Sequence, residues 1–194
     1  FDPITEWKSR SAGRDLREQR GFRAEDVVIL WASNVEPAHH PFTGAAGDVT
    51  LPYRIESALR DCVAKETAWR LIVRYHPSEN VEFFPTPNVS LSPRYENLHA
   101  LIHAVDAVVV MSSTVGLEAH LAGKPVISVD LSVFTADAPY SRMGIATGVG
   151  NLDDLHSTIG SALSGRSAHE GAYCQTVTAT RAVTDKIMAL LAPL

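Results

Sequence analysis

The feature that most constrains this chain is a series of short Val- and Ile-rich runs with little or no polar alternation: VVILWA at 27–32, RLIVRY at 70–75, VSL at 89–91, AVVVM at 107–111 and VISV at 126–129. A strand with one wet face alternates apolar and polar residues. Continuous apolar strands are buried on both faces, as in a parallel sheet covered by helices on either side. Helical periods separate the runs: Ile55, Leu59, Cys62 and Val63, then 98–104, 115–122, 152–163 and 177–191. Alternating β and α segments predict a Rossmann-like three-layer α/β/α sandwich with a mainly parallel sheet. No internal repeat and no low-complexity segment interrupts the pattern.

Residues 1–24 are polar and rich in Arg and Glu, with helical composition over 12–19, and read as a linker or docking segment. Residues 25–194 form the domain. At 194 residues and 45% apolar content, one well-filled core is expected, and two are not. A net charge of -5, with 17 basic residues spread along the chain, argues against a nucleic-acid partner, because that surface needs clustered Lys and Arg. The longest apolar stretches fall far short of the roughly 20 residues a membrane-spanning helix requires. Cys62 and Cys174 are far apart and lack metal-ligand spacing, which fits reduced thiols and a cytoplasmic protein. The first residue is Phe1, so an excised portion of a longer protein is expected.

In open α/β sheets, ligands sit beyond the carboxyl ends of the strands. The stretch MSSTVGLEAH places Ser112, Ser113 and Thr114 at that edge. Two readings are physically sound: a helix N-cap, which needs one hydroxyl, or an anion site in which hydroxyls and first-turn N–H groups receive a phosphate. Glu118 follows one turn later on about the same face. A carboxylate among apolar neighbours needs a partner; a ribose diol suits it, and so does solvent, His120 or Lys124. RYHPSEN, at 74–80, sets His76 before a proline that fixes the local backbone, so the imidazole is held. Ser78 and Glu79 read as a turn or a helix start.

Four further histidines point to no metal. His39 and His40 are adjacent in a long loop with no Cys or carboxylate at ligand spacing, which reads as flexible and solvated. His99 and His103 have i,i+4 spacing without a third ligand and are expected to be surface or partly packed.

RYHPSEN, ENLHALIHAVDAVV and SSTVGLEAHLAGKPVISVD together resemble the C-terminal, donor-binding domain of GT-B glycosyltransferases. The pattern is nearest to that of capsule and surface-polysaccharide enzymes, among them bacterial sialyltransferases, Kdo transferases and CDP-glycerol-dependent polymerases, which carry His-Pro and Ser-Ser/Thr motifs. The resemblance spans residues 27–163, and its specific part 71–130. It implies that His76 acts in catalysis and, with Arg74, Ser112, Ser113 and Thr114, contacts the donor phosphate, while Glu118 contacts the ribose. It also implies that the loop after the 126–129 strand contributes to the donor pocket, where Asp130, and Tyr140 or Arg142, are the candidates to reach the base or sugar. Arg94 and Tyr95, just before the 98–104 helix, are expected to flank the nucleobase.

The donor is then a CMP-, CDP- or UDP-linked sugar, with no metal or other cofactor. The partner is an N-terminal acceptor-binding domain or subunit, which supplies the catalytic base and through which the full enzyme can meet a membrane. Here Tyr75 separates Arg74 from the His-Pro pair, a departure from the pattern. UDP-N-acetylglucosamine 2-epimerases share the architecture, but SSTVGLEA lacks their double-glycine and Glu-Glu pattern. A third expectation is a non-catalytic nucleotide-binding or partner-docking module.

Overall fold

The computed structural model describes residues 2–165. Cys174 and the helix expected at 177–191 lie outside the described residues. A 3-10 turn at Asp2–Thr5 leads into α1 (Trp7–Gln19). There follow β1 (Val27–Ala32), α2 (Leu51–Lys65), β2 (Trp69–Arg74), β3 (Val89–Leu91), α3 (Leu98–Ala104), β4 (Ala107–Val110), α4 (Val115–Leu121), β5 (Val126–Val129), β6 (Thr147–Val149) and α5 (Leu155–Ser164).

The six strands form one sheet in the order β3-β2-β1-β4-β5-β6, and every pairing is parallel. The expected Rossmann-like sandwich is therefore the observed one. β6 was not anticipated: TGV is short, two of its three residues are exposed, and only Val149 is buried. Its pairing with β5 makes it a strand, and no local pattern announces that. α1 also begins at Trp7, earlier than the helical composition suggested.

Alternation along β1 sends side chains to two cores. Ile29 and Trp31 join Leu51, Ile55 and Leu59 of α2 and Leu155 and Ile159 of α5 on one face. Val28, Leu30 and Ala32 join Leu101 and Ile102 of α3 and Ala119 of α4 on the other. Full burial of a side chain of this size is worth about 1.5–3 kcal/mol relative to exposure, so the central strands carry much of the stabilisation.

The polar N-terminal segment packs on the second face. Ile4 is fully buried, and Gly13 lies so close to α3 that an added Cβ would stand 2.3 Å from Cβ of His103. Arg17 donates to the carbonyl of Ala104 and to Asp106 Oδ2, both at 2.9 Å. Arg20 forms a two-pronged pair with Glu96, at 2.6 and 2.8 Å. No helix among the described residues is long and apolar enough to cross a membrane.

Candidate functional site

The carboxyl ends of the six strands share one edge of the sheet. β1 and β4 are neighbours, yet β1 leads to α2 on one face and β4 to α4 on the other. Adjacent strands whose connections leave in opposite directions open a crevice between their loops. At that point Asn34, two residues past β1, donates through Nδ2 to Ser112 Oγ at 3.0 Å. The hydroxyl cluster is thereby joined to the end of the central strand. Neither Ser33 nor Asn34 figured in the sequence reading, although VVILWASN carries the signature that singled out Ser112: polar groups directly after a buried run.

His76 lies one strand over, exposed, in the turn after β2. Its carbonyl accepts from the Glu79 N–H at 2.9 Å, with Pro77 in the second turn position, where a fixed φ suits it. The motif is therefore a turn, with no helix start. Ring Nδ1 accepts from the Ser78 N–H at 3.1 Å, so the proton of the neutral ring belongs on Nε2. The Glu79 carboxylate accepts from the His76 N–H at 2.7 Å and from Ser33 Oγ at 2.9 Å. One hydrogen-bonded line thus runs from the loop after β2, across the end of β1, to the loop after β4.

At the start of α4, Ser113 Oγ accepts from the Val115 N–H at 3.3 Å, while Thr114 is exposed and makes no side-chain cap. The three hydroxyls are thus divided: Ser112 bridges loops, Ser113 leans on the helix start, and Thr114 faces outward. Gly116 lets the helix lie close to its neighbours, since a Cβ there would stand 3.0 Å from Val110 and 3.3 Å from the Tyr140 ring. Glu118 is mostly buried and pairs with His99 Nε2 at 3.1 Å. Of the partners weighed from sequence, none was this one, which comes from α3.

The other expected site residues fall in different surroundings. Arg74 donates to Ser92 Oγ at 2.9 Å and to the carbonyl of Glu96 at 3.1 Å, fastening the loop before α3; burial lowers its pKa, and Glu96 acts against that. Arg94 is exposed and donates to the Glu79 carbonyl at 2.7 Å. Asp130 accepts from Ser128 at 2.7 Å and Ser141 at 2.5 Å, tying the end of β5 to the following loop. Tyr140 is buried, its ring against Gly116, and burial raises its phenol pKa. Arg142 is exposed in the turn after it, and Tyr95 is exposed before α3.

The long loop 33–50 is built, contrary to the expectation of a flexible, solvated one. His40 is buried: Nε2 lies 2.6 Å from Asp137, and Nδ1 accepts from the N–H groups of Phe42 and Thr43. Glu36, also buried, accepts from Ser132 Oγ at 2.6 Å and from the Val133 N–H at 2.8 Å. These contacts join the loop after β1 to the loop after β5. His103, the other helix histidine, is held by the carbonyl of Ile4, 2.6 Å from Nε2.

A cleft of about 290 Å³ opens beside the His76 turn, lined by Ser33, Glu36, Glu56, Tyr75 and Glu79 with Val81. Burial and then Glu56 hold the Tyr75 phenol protonated well above its usual range. A wider cleft of about 560 Å³ lies between α2 and the turn after β6, with Arg54, Asp61 and Asn151 on its walls and Tyr53 shared with the first. Ser112, Ser113, Thr114 and Glu118 line neither. Among the described residues, no group of three or more His, Cys, Asp or Glu side chains is arranged to hold a metal ion.

No protein-family model matches the sequence, and no curated protein matches it. Solved structures do. UDP-GlcNAc 2-epimerase from Neisseria meningitidis, bound to UDP-GlcNAc, superposes with a TM-score of 0.58 at 16% identity, over 92% of this chain and 48% of that one. The kitacinnamycin glycotransferase gives 0.52 at 17% identity, over 87% and 44%. A variant of the wall teichoic acid polymerase TagF gives 0.51 at 11% identity, over 94% and 48%. The likeness is one of fold: a Rossmann-like α/β/α unit that spans a little under half the length of each of these structures.

Proposed function

We propose that this chain is the nucleotide-sugar-binding half of a GT-B glycosyltransferase, acting on a CMP-, CDP- or UDP-linked donor in the cytoplasm for a surface polysaccharide such as a capsule. The observation that carries the reading is His76. Its Nδ1 is occupied by the Ser78 N–H, so Nε2–H is presented outward, on the edge where the Asn34–Ser112 bridge marks the crevice. When the sugar–phosphate bond breaks, negative charge grows on the departing phosphate, and donors already aimed at it lower the barrier. Nε2–H of His76, the hydroxyls of Ser113 and Thr114 and the first-turn N–H groups of α4 are those donors. Glu118 receives the ribose diol. An acceptor-binding half supplies the base that deprotonates the acceptor hydroxyl.

Calorimetric titration with CMP, CDP, UDP and GDP, with and without magnesium, tests this. One cytidine or uridine nucleotide is expected to bind selectively, and His76→Ala and Ser113→Ala are each expected to weaken it about tenfold, the worth of one hydrogen bond to a charged group. Unchanged affinity in both variants overturns the site.

A second reading, epimerisation at C2 of a UDP-linked amino sugar, draws on the neighbouring cleft, where Glu36, Glu56, Glu79 and Tyr75 gather the acid–base groups that such chemistry requires. Deuterium incorporation at C2 of UDP-GlcNAc in heavy water would select it.

A further inference from the structure

We infer that Glu79 is a positioning residue: its carboxylate closes the His76 turn on itself and fastens it to the end of β1, which sets both the place of the imidazole and the nitrogen that carries its proton. The inference rests on the reading of His76 as a phosphate donor. Both carboxylate oxygens are used, one by the His76 N–H at 2.7 Å and the other by Ser33 Oγ at 2.9 Å. A carboxylate accepting from a backbone N–H makes a short, charge-assisted bond. Among the described residues no Lys or Arg pairs with it, so these two donors are what it is placed for.

The turn itself is local. Pro77 presets its second position, and the His76 carbonyl accepts from the Glu79 N–H at 2.9 Å. That bond orients the turn only relative to its own strand. Ser33 directly follows β1, the neighbouring strand, and Asn34 beside it holds Ser112. Through Glu79, therefore, His76 is set relative to the hydroxyl cluster, which the turn alone does not achieve. Arg94 braces the same residue from the loop before α3 by donating to its carbonyl at 2.7 Å.

The state of the ring follows from the backbone. The Ser78 N–H meets Nδ1 at 3.1 Å only while the turn is closed. An opened turn frees Nδ1, and an exposed imidazole then divides its proton between the two nitrogens. Glutamine can substitute for glutamate here: its oxygen accepts from the His76 N–H, and its amide donates to the Ser33 hydroxyl, which accepts as well as donates. The assigned role is geometric, so loss of the charge is tolerated and loss of the side chain is not.

The test combines two readouts on the full chain. Nitrogen-15 NMR of the imidazoles, with His76→Ala for assignment, reports the tautomer; titration with CDP and UDP reports affinity. In the parent, His76 is expected to be the Nε2–H form. In Glu79→Ala it becomes a mixture and affinity falls about tenfold, and in Glu79→Gln both return to within about threefold of the parent. An unchanged tautomer and unchanged affinity in Glu79→Ala overturn the inference, as does a Glu79→Gln variant no better than Glu79→Ala. If Glu79→Ala does not fold, Ser33→Ala removes the tether from its other end; the tautomer is expected to hold while affinity falls, and an unaltered affinity there is equally fatal. If neither nucleotide binds the parent, the functional reading falls, and the tautomer of the Glu79 variants alone decides whether Glu79 positions His76.

Discussion

Glu118 shows how a single residue's meaning depends on neighbours that the sequence does not place beside it. Its pairing with His99 joins α3 to α4, because both helices lie on the same face of the sheet. In the donor reading His99 also aligns the carboxylate for a ribose. Glu118→Ala is then expected to lower CDP affinity about tenfold and to abolish any preference over 2′-deoxy-CDP, as befits loss of an acceptor for the sugar hydroxyls. Equal loss for both nucleotides, measured by calorimetry, would assign Glu118 to packing. Individual residues were legible in proportion to how local their partners are. His76 was singled out because Pro77 and Ser78 determine its setting within the motif. Asn34 was missed because its bond to Ser112 exists only through strand order, and Arg74, read as a phosphate ligand, is occupied by a loop some 18–22 residues later.

Among elements, strands and helices followed closely from apolar periodicity, since β1, β3, β5 and α3 each meet a run visible in the sequence. β6 did not, because it gains its strand character from pairing with β5 and not from composition. The contact between α1 and α3 shows a further consequence of packing. His103, on α3, donates to the Ile4 carbonyl in a half-buried setting, and its pKa is lowered, first by burial, with Lys124, Arg10 and His99 adding to the effect and the Ile4 bond opposing it. A histidine whose folded pKa lies below the unfolded value of about 6.5 binds more protons when unfolded. Its stability contribution is therefore whole above about pH 6.5 and declines as the pH falls from there towards the folded value. Urea unfolding at pH 7.5 and 5.5 is expected to show a smaller loss of stability for His103→Gln than for the parent. Identical losses would remove His103 from the account.

For the whole molecule, the sheet order carries the fold and the crevice together, and both were legible only as a class: a parallel sandwich with its loops gathered at the carboxyl ends of the strands. Which loops meet was not, since that requires knowing that β1 and β4 are neighbours. A ligand that binds only the folded chain raises its stability by about 2.7 kcal/mol at a hundredfold excess over Kd. For a chain of this size that corresponds to a Tm increase of about 5–10 °C. Thermal melts with the nucleotide selected by titration check this, and an unmoved Tm at that excess would mean that the nucleotide does not bind the folded state preferentially.

The central place of β1 has a consequence for how the chain is made. Its two flanking strands are synthesised long after it, and Ile29 waits 78 residues for Ala107. At about 5–20 residues per second on a ribosome, that interval lasts about 4–16 s. For that time the longest wholly apolar strand among the described residues, VVILWA, has one open flank even after β2 has paired with the other. The nascent chain is thus most exposed to misassociation before Val110 emerges, and a binding chaperone would find its target in the centre of the finished sheet.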